Sequence, residues 1–235
     1  MKILVFMSDN RNLSSNFSNA EYNSLVASIN YEYCKKYGYD FIYYRPFLKN
    51  KELTVLNNCI DPNDGSPRHA SWSKLLSTKI AIELDYEYIV YIDSDCIFKD
   101  LNKSLDEIMP NYINDIIFFN NKPWGYDKPC AGFYICKKSE NSIKFIKNWY
   151  NYKLPRCNIL HSWEQSALWE IFKEYNILII DTWMFREREG QFLRHIGTHE
   201  KEKRIPYFKN FIEENNINFS DNISQIKCIE FDTSI

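Results

Sequence analysis

Glu87-Tyr88-Ile89-Val90-Tyr91-Ile92-Asp93-Ser94-Asp95-Cys96 carries the clearest structural signal in this chain. Tyr88 to Ile92 is an unbroken apolar and aromatic run, the mark of a central strand covered on both faces. It ends on two carboxylates two residues apart. In an extended chain, period two puts Asp93 and Asp95 on the same side, converging on one point. Open α/β sheets bind ligands outside the carboxyl ends of their strands. Adjacent carboxylates repel unless a proton or cation sits between them, and hard oxygen ligands favour magnesium or manganese. The plainer alternative is that Asp93 and Asp95 begin a turn. The apolar run before them and Ile97-Phe98 after them weigh against a turn alone.

Working outward, strands and helices alternate. On the N-terminal side, Lys2–Met7 reads as a buried strand. Ser18-Asn19-Ala20-Glu21 has the form of a capping box opening a helix with Leu25, Val26, Ile29 and Tyr33 on its apolar face, closed by Gly38. Tyr39–Tyr44 is a second strand, and Pro46 to Pro67 a long loop carrying Asp61-Pro62-Asn63-Asp64-Gly65. Trp72, Leu75, Leu76 and Ile80 recur at helical spacing, with Lys74 and Lys79 off that stripe. Downstream, Ser104-Leu105-Asp106-Glu107 caps a short helix ended by Pro110. Ile116–Phe119 and Gly132–Cys136 are strands, and Ser139–Tyr152 is an amphipathic helix. Ser162-Trp163-Glu164-Gln165 is a further capping box, opening a helix to about Tyr175. Ile177–Ile180 and Phe192–Ile196 are strands, and from Lys201 a polar helix interrupted at Pro206 leads into a tail. The pattern predicts one α/β domain over residues 1–235, with a mixed, mostly parallel central sheet flanked by helices.

Composition narrows the function. With 29 Lys and Arg against 31 acids, the net charge of -2 offers no basic excess to neutralise a polyanion, so no nucleic-acid partner is expected. The 17 Tyr, 16 Phe and 6 Trp either fill a core or stack on ligands, and core filling explains most of them. Cys34, Cys59, Cys96, Cys130, Cys136, Cys157 and Cys228 form no Cys-x-x-Cys pair, so neither structural zinc nor a redox motif is signalled. The apolar run Met1–Met7 stops at Ser8-Asp9-Asn10-Arg11, too short for a signal-peptide core, and no stretch reaches membrane-span length. A soluble, cytosol-like protein is the expectation.

A second chemical cluster is Phe192-Leu193-Arg194-His195-Ile196-Gly197-Thr198-His199. His195, late in its strand, can add an imidazole nitrogen to a carboxylate-bound metal, a mixed set that manganese accepts. His199 competes for that role. Gly197 lets backbone approach a ligand, and Lys201, Lys203 and Arg204 supply positive charge just beyond.

Trp72-Ser73-Lys74, Tyr91-Ile92-Asp93-Ser94-Asp95, Ala131-Gly132-Phe133-Tyr134-Ile135, Trp163-Glu164-Gln165-Ser166-Ala167-Leu168 and His195-Ile196-Gly197 occur in that order. Together these blocks resemble the nucleotide-sugar glycosyltransferases of the GT-A (Rossmann-like) fold. The resemblance is to the galactosyl/mannosyltransferase family, which includes xyloglucan xylosyltransferases, and to small viral GT-A enzymes. It spans roughly residues 1–205. It implies a nucleotide-binding half (1–100) ending in the Asp-x-Asp, a sugar and acceptor half (101–205), and a C-terminal helix and tail (206–235).

By this resemblance Asp93, Asp95 and His195 hold Mn2+ or Mg2+, and Ser8, Asp9, Lys74, Asp93, Ser94, Ala131, Gly132, Gly197 and Lys201 bind the donor. Lys74, Glu164 and Gln165 are the catalytic candidates. The donor is a nucleotide sugar, UDP-linked before GDP-linked, and the acceptor a hydroxyl of a glycan or glycoconjugate. Relatives often carry Asn where this chain has Cys130, and Asp-Gln where it has Glu164-Gln165. A metal would offset the leaving diphosphate's charge, and Lys74 would add to that effect. Glu164 would take the acceptor proton if the reaction inverts; with Gln165 it would face the oxocarbenium-like sugar if it retains. Trp124, Tyr126 and Trp163 are possible stacking surfaces for acceptor sugar. The alternatives are a haloacid dehalogenase-type phosphohydrolase, which also uses Asp-x-Asp after an apolar strand, and a non-catalytic nucleotide- or carbohydrate-binding module.

Overall fold

The computed structural model describes residues 1–47, 59–109, 113–121, 127–153, 156–180, 190–197 and 200–233. In chain order the elements are β1 (Ile3–Ser8), α1 (Tyr22–Tyr37), β2 (Asp40–Phe47), β3 (Cys59–Ile60), β4 (Pro67–Arg68), α2 (Ser73–Glu83), β5 (Tyr88–Ile92), β6 (Cys96–Phe98), α3 (Leu105–Ile108), β7 (Ile116–Asn120) and β8 (Pro129–Lys137). They continue with α4 (Glu140–Tyr150), α5 (Arg156–Ile159), α6 (Trp163–Ile171), β9 (Ile177–Ile180), β10 (Leu193–His195), α7 (Lys201–Glu214), α8 (Phe219–Gln225) and β11 (Lys227–Asp232). No helix among the described residues is long and apolar enough to cross a membrane.

A seven-stranded sheet runs in the order β11-β2-β1-β5-β8-β7-β9. All neighbours are parallel except β8, which runs antiparallel to both β5 and β7. Alternation along the strands divides the interior into two cores. Ile3, Val5, Met7, Phe41, Tyr43, Val90, Ile92, Phe133 and Ile135 face α1 and α7. Leu4, Phe6, Ile42, Tyr44, Ile89, Tyr91 and Tyr134 face α2, α4 and α6. The aromatics are consumed mainly here: Tyr33 stacks on Phe98 at 3.9 Å, and Trp149 packs edge-on against Phe118 and Tyr134. Such pairs add about 0.5–1.5 kcal/mol each beyond burial.

Local signals held where nothing competed for the side chains. Gly38 closes α1 at φ 69°, its N–H bonding the Cys34 and Lys35 carbonyls. Ser104 and Glu107 form the expected reciprocal cap on α3. Elsewhere other partners take the capping groups. Ser18 donates to Asn16 instead, and α1 starts at Tyr22 with Glu21 turned toward Arg11 at 3.4 Å. Ser162 makes no side-chain cap on α6, and the Gln165 side chain accepts from the Ala131 N–H at 2.9 Å instead of reaching back to the start of the helix.

The expected tail is in fact helical and then extended. α7 and α8 lead into β11, which pairs parallel with β2 from Lys227↔Ile42 to Asp232↔Phe47. Within the long excursion, β3 and β4 pair with one another, and Arg68 is fully buried against Asp61, Asn158 and the face of Trp72. The short strand β6 pairs antiparallel with β10, outside the main sheet.

Candidate active site

The site forms where β5 leaves the sheet. The strand ends at Ile92, and Asp93-Ser94-Asp95-Cys96 is a turn closed by the Cys96 N–H donating to the Asp93 carbonyl at 3.0 Å. The carboxylates therefore converge through a turn rather than through strand alternation. The reason is packing: β6 must pair with β10, off the sheet, so the chain bends immediately after β5. Asn30 of α1 pins the exit, donating to the Cys96 carbonyl at 3.0 Å and accepting from the Phe98 N–H at 3.1 Å.

The β6–β10 register sets His195 opposite Cys96, and the Ile196 N–H bonds the Asp95 carbonyl at 2.9 Å. His195 Nε2 thereby comes within 2.9 Å of Asp95 Oδ1. One ligand atom each from Asp93, Asp95 and His195 lies within 4.8 Å of the others. Two carboxylate oxygens and an imidazole nitrogen are a donor set that manganese or magnesium accepts. The space between them is kept by Gly132. A Cβ there would lie 2.9 Å from His195 Cε1 and 3.2 Å from Asp93 Oδ2, so any side chain would enter the cluster.

Lys74 is buried rather than off the helix's packed face. Its ammonium lies 2.9 Å from Asp93 Oδ1, 2.9 Å from Glu164 Oε1 and 3.3 Å from the Ala131 carbonyl. Burial disfavours its charge, but the two carboxylates outweigh that and raise its pKa above the usual lysine value. Glu164 is 4% exposed, and its Oε2 has no hydrogen-bond partner among the described residues. Trp149 fixes the Glu164 backbone by donating to its carbonyl at 2.7 Å. Tyr91 donates to Asp93 Oδ1, and its phenol is pushed well above its ordinary pKa by burial and by that carboxylate.

Asp95 carries two internal partners. Oδ1 meets His195, and Oδ2 accepts from Arg204 of α7. Burial opposes its ionisation, but His195, Arg204 and Lys74 prevail and lower its pKa.

Ser8 Oγ lies 2.8 Å from Ser77 Oγ and 3.3 Å from Ser73 Oγ, a hydroxyl group at the carboxyl end of β1. Asp9 holds Arg11 through both carboxylate oxygens, and Arg11 reaches Ser94 Oγ at 3.4 Å. Ala131 is buried, with both its peptide groups engaged, so it lines no open surface through its side chain. Gly197 accepts from the Glu200 N–H at 3.1 Å. Lys201 is exposed on the first turn of α7, three residues before Arg204. Trp163 stacks face-to-face on His69 at 3.6 Å. His199, Trp124 and Tyr126 lie outside the described residues.

Sequence reasoning missed Tyr91 and Asn30 as supports of the turn, and treated Arg204 only as nearby charge. A signal for Arg204 existed: it shares the buried stripe of α7 with Phe208, Phe211 and Ile212, a place where an unpaired guanidinium is not tolerated.

No family model matches the chain, and no curated protein matches it in sequence. Its architecture does match solved structures. A glycosyltransferase involved in glycosylation of the major capsid of PBCV-1 superposes with a TM-score of 0.65 at 16% identity, over 89% of this chain and 100% of that one. The glycosyltransferase GlyE of Streptococcus pneumoniae TIGR4 superposes with a TM-score of 0.54 at 12% identity, over 92% of this chain. There the match spans 64% of the GlyE chain. The chain has the GT-A glycosyltransferase fold.

Proposed function

We propose that this GT-A chain is a glycosyltransferase that moves a hexosyl or pentosyl group from a nucleoside-diphosphate sugar, UDP-linked before GDP-linked, to a hydroxyl of a glycan or glycoconjugate. The observation that carries the reading is the convergence of Asp93, Asp95 and His195 on one point at the carboxyl end of the central strand. That is where an open α/β sheet takes its ligand. On this reading residues 1–100 serve mainly the nucleotide, 101–205 the sugars, and the helices and strand beyond complete the fold.

Asp93, Asp95 and His195 would hold Mn2+ or Mg2+, which when bound supplies charge neutralisation for the diphosphate leaving group. Lys74 is the fixed protein cation beside Asp93, held ionised by two carboxylates, and it favours negative charge developing on the donor. Glu164 keeps one buried carboxylate oxygen without a hydrogen-bond partner among the described residues, and that oxygen receives the hydrogen bond of a sugar hydroxyl. Gln165 is tied to the Ala131 peptide and keeps the Ala131-Gly132 segment in place against Asp93 and His195. Ser8 and Asp9 at the carboxyl end of β1, and Ser94 within the turn, are assigned to the nucleotide side, together with Gly197 and Lys201 beyond β10.

A thermal-shift panel of nucleotide sugars with and without Mn2+ tests the reading, since a ligand that binds the native state raises the melting temperature by mass action. We expect stabilisation that needs both metal and donor. Mn2+-dependent release of nucleoside diphosphate should disappear in Asp95→Ala. Equal donor hydrolysis in metal-free and Mn2+-loaded protein would defeat the metal assignment, and an aspartyl-phosphate trapped on Asp93 would favour a phosphohydrolase.

A further inference from the structure

Arg204 belongs to none of the roles assigned above, yet it touches the centre of the cluster. We propose that Arg204 is a positioning residue of the metal site: it ties the Asp95 carboxylate to the strand end that carries His195, so that a divalent cation meets a preset geometry. The inference rests on the reading of Asp93, Asp95 and His195 as a metal site.

The geometry is specific. Arg204 is 8% exposed. Its Nε donates to the Ile196 carbonyl at 2.7 Å, and its Nη2 donates to Asp95 Oδ2. A guanidinium is planar and presents its donors in a fixed fork, so these two acceptors are held at a set separation. One acceptor belongs to the Asp-x-Asp turn, and the other to the residue directly after His195. With Oδ2 occupied, the carboxylate cannot rotate freely, and Oδ1 is the oxygen directed at His195. Oδ1 is thus the atom that a cation shared with His195 would take.

The guanidinium is itself supported. Its carbon lies 4.6 Å from the Tyr22 ring centroid, and that of Arg11 lies 4.0 Å from the same ring. Arg11 is in turn clamped by Asp9 and reaches Ser94. The turn is therefore gripped at Ser94 from the loop after β1 and at Asp95 from α7, with Tyr22 of α1 between the two grips.

Residues that orient metal ligands typically change metal affinity by roughly 10–100-fold when replaced. The test is Mn2+ titration calorimetry on the full chain after chelator treatment, with melting temperatures recorded in chelator. We expect Arg204→Gln to bind Mn2+ about 10–100-fold more weakly. Turnover of Arg204→Gln should recover at saturating Mn2+, because the effect lies in metal affinity. Arg204→Lys, which keeps the buried charge but not the planar fork, should bind several-fold more weakly than wild type. It carries the test should the glutamine variant fail to fold. Lys203→Ala, an exposed residue paired with Glu200, should bind as wild type does. Wild-type affinity in both Arg204 variants, or tighter binding in either, overturns the inference and leaves the metal site standing. A wild-type protein that binds no Mn2+ overturns both.

Discussion

At the residue scale the site is a balance of charges held at close quarters. Asp93, Asp95 and Glu164 meet Lys74 and Arg204, and each cation bonds its partners directly. Removing one member of such a buried set leaves another uncompensated, which is costlier than the pair's own net worth. Gly132 shows how little room remains. Its absent Cβ would come within 2.9 Å of His195 Cε1, closer than real Cβ contacts run, and the imidazole is held by Asp95 and cannot simply swing away. Gly132→Ala should therefore fold normally by circular dichroism but bind Mn2+ at least about tenfold more weakly, the scale of a disturbed ligand shell. Unchanged Mn2+ affinity in that variant would mean that His195 is not a ligand. The choice of residue types here was legible in the chain: acid, acid and histidine point to a hard or borderline metal. That Lys74 turns inward was not legible, because helical periodicity sorts residues by polarity and cannot show that the carboxylates of Asp93 and Glu164 wait for an ammonium.

At the element scale, the site depends on strands that make few hydrogen bonds of their own. β6 and β10 share only three register pairs, Leu193↔Phe98 to His195↔Cys96, and α1 and α7 secure them through Asn30 and Arg204. The other late element, β11, covers the edge of β2 along six residues, while Ile229 and Phe231 pack on the α2 side of the sheet. A chain cut before Lys227 exposes a row of unpaired backbone groups on β2, which invites pairing with another molecule. We expect that truncation to lower the melting temperature and to aggregate in a concentration-dependent way by light scattering. A monomeric protein with unchanged melting would show β11 to be dispensable. The chain hid this strand because Lys227-Cys228-Ile229-Glu230-Phe231-Asp232 sits on an edge with mostly solvent-facing side chains, where hydrophobic patterning is weakest.

At the scale of the whole molecule, the buried Asp61 and the half-buried Asp95 link stability to pH. Burial opposes the charge of Asp61, but hydrogen bonds from Asn158 and Asn63 and the Arg68 guanidinium hold its pKa below the usual range. Asp95 is likewise held down against burial by His195, Arg204 and Lys74. With folded values below unfolded ones, the unfolded chain binds more protons in the window between them. Their stabilisation is thus complete above about pH 5, a unit above the unfolded carboxylate value, and is lost as pH falls through the folded values. Urea midpoints should drop steeply on acidification from about pH 5 to 3, and the drop should shrink in Asp61→Asn; a flat midpoint would contradict the linkage. The sequence by itself determined the central strand, the mostly parallel sheet, the two-sided core and the residue types at the site, because steric periodicity and burial act between near neighbours in the chain. The tertiary structure alone decided that the carboxylates converge through a turn, that Lys74 bridges two acids, and that Arg204 reaches Asp95 across 109 residues. Those facts depend on the register of β6 against β10 and on the packing of α7, and no local preference of the chain encodes a contact between segments so far apart.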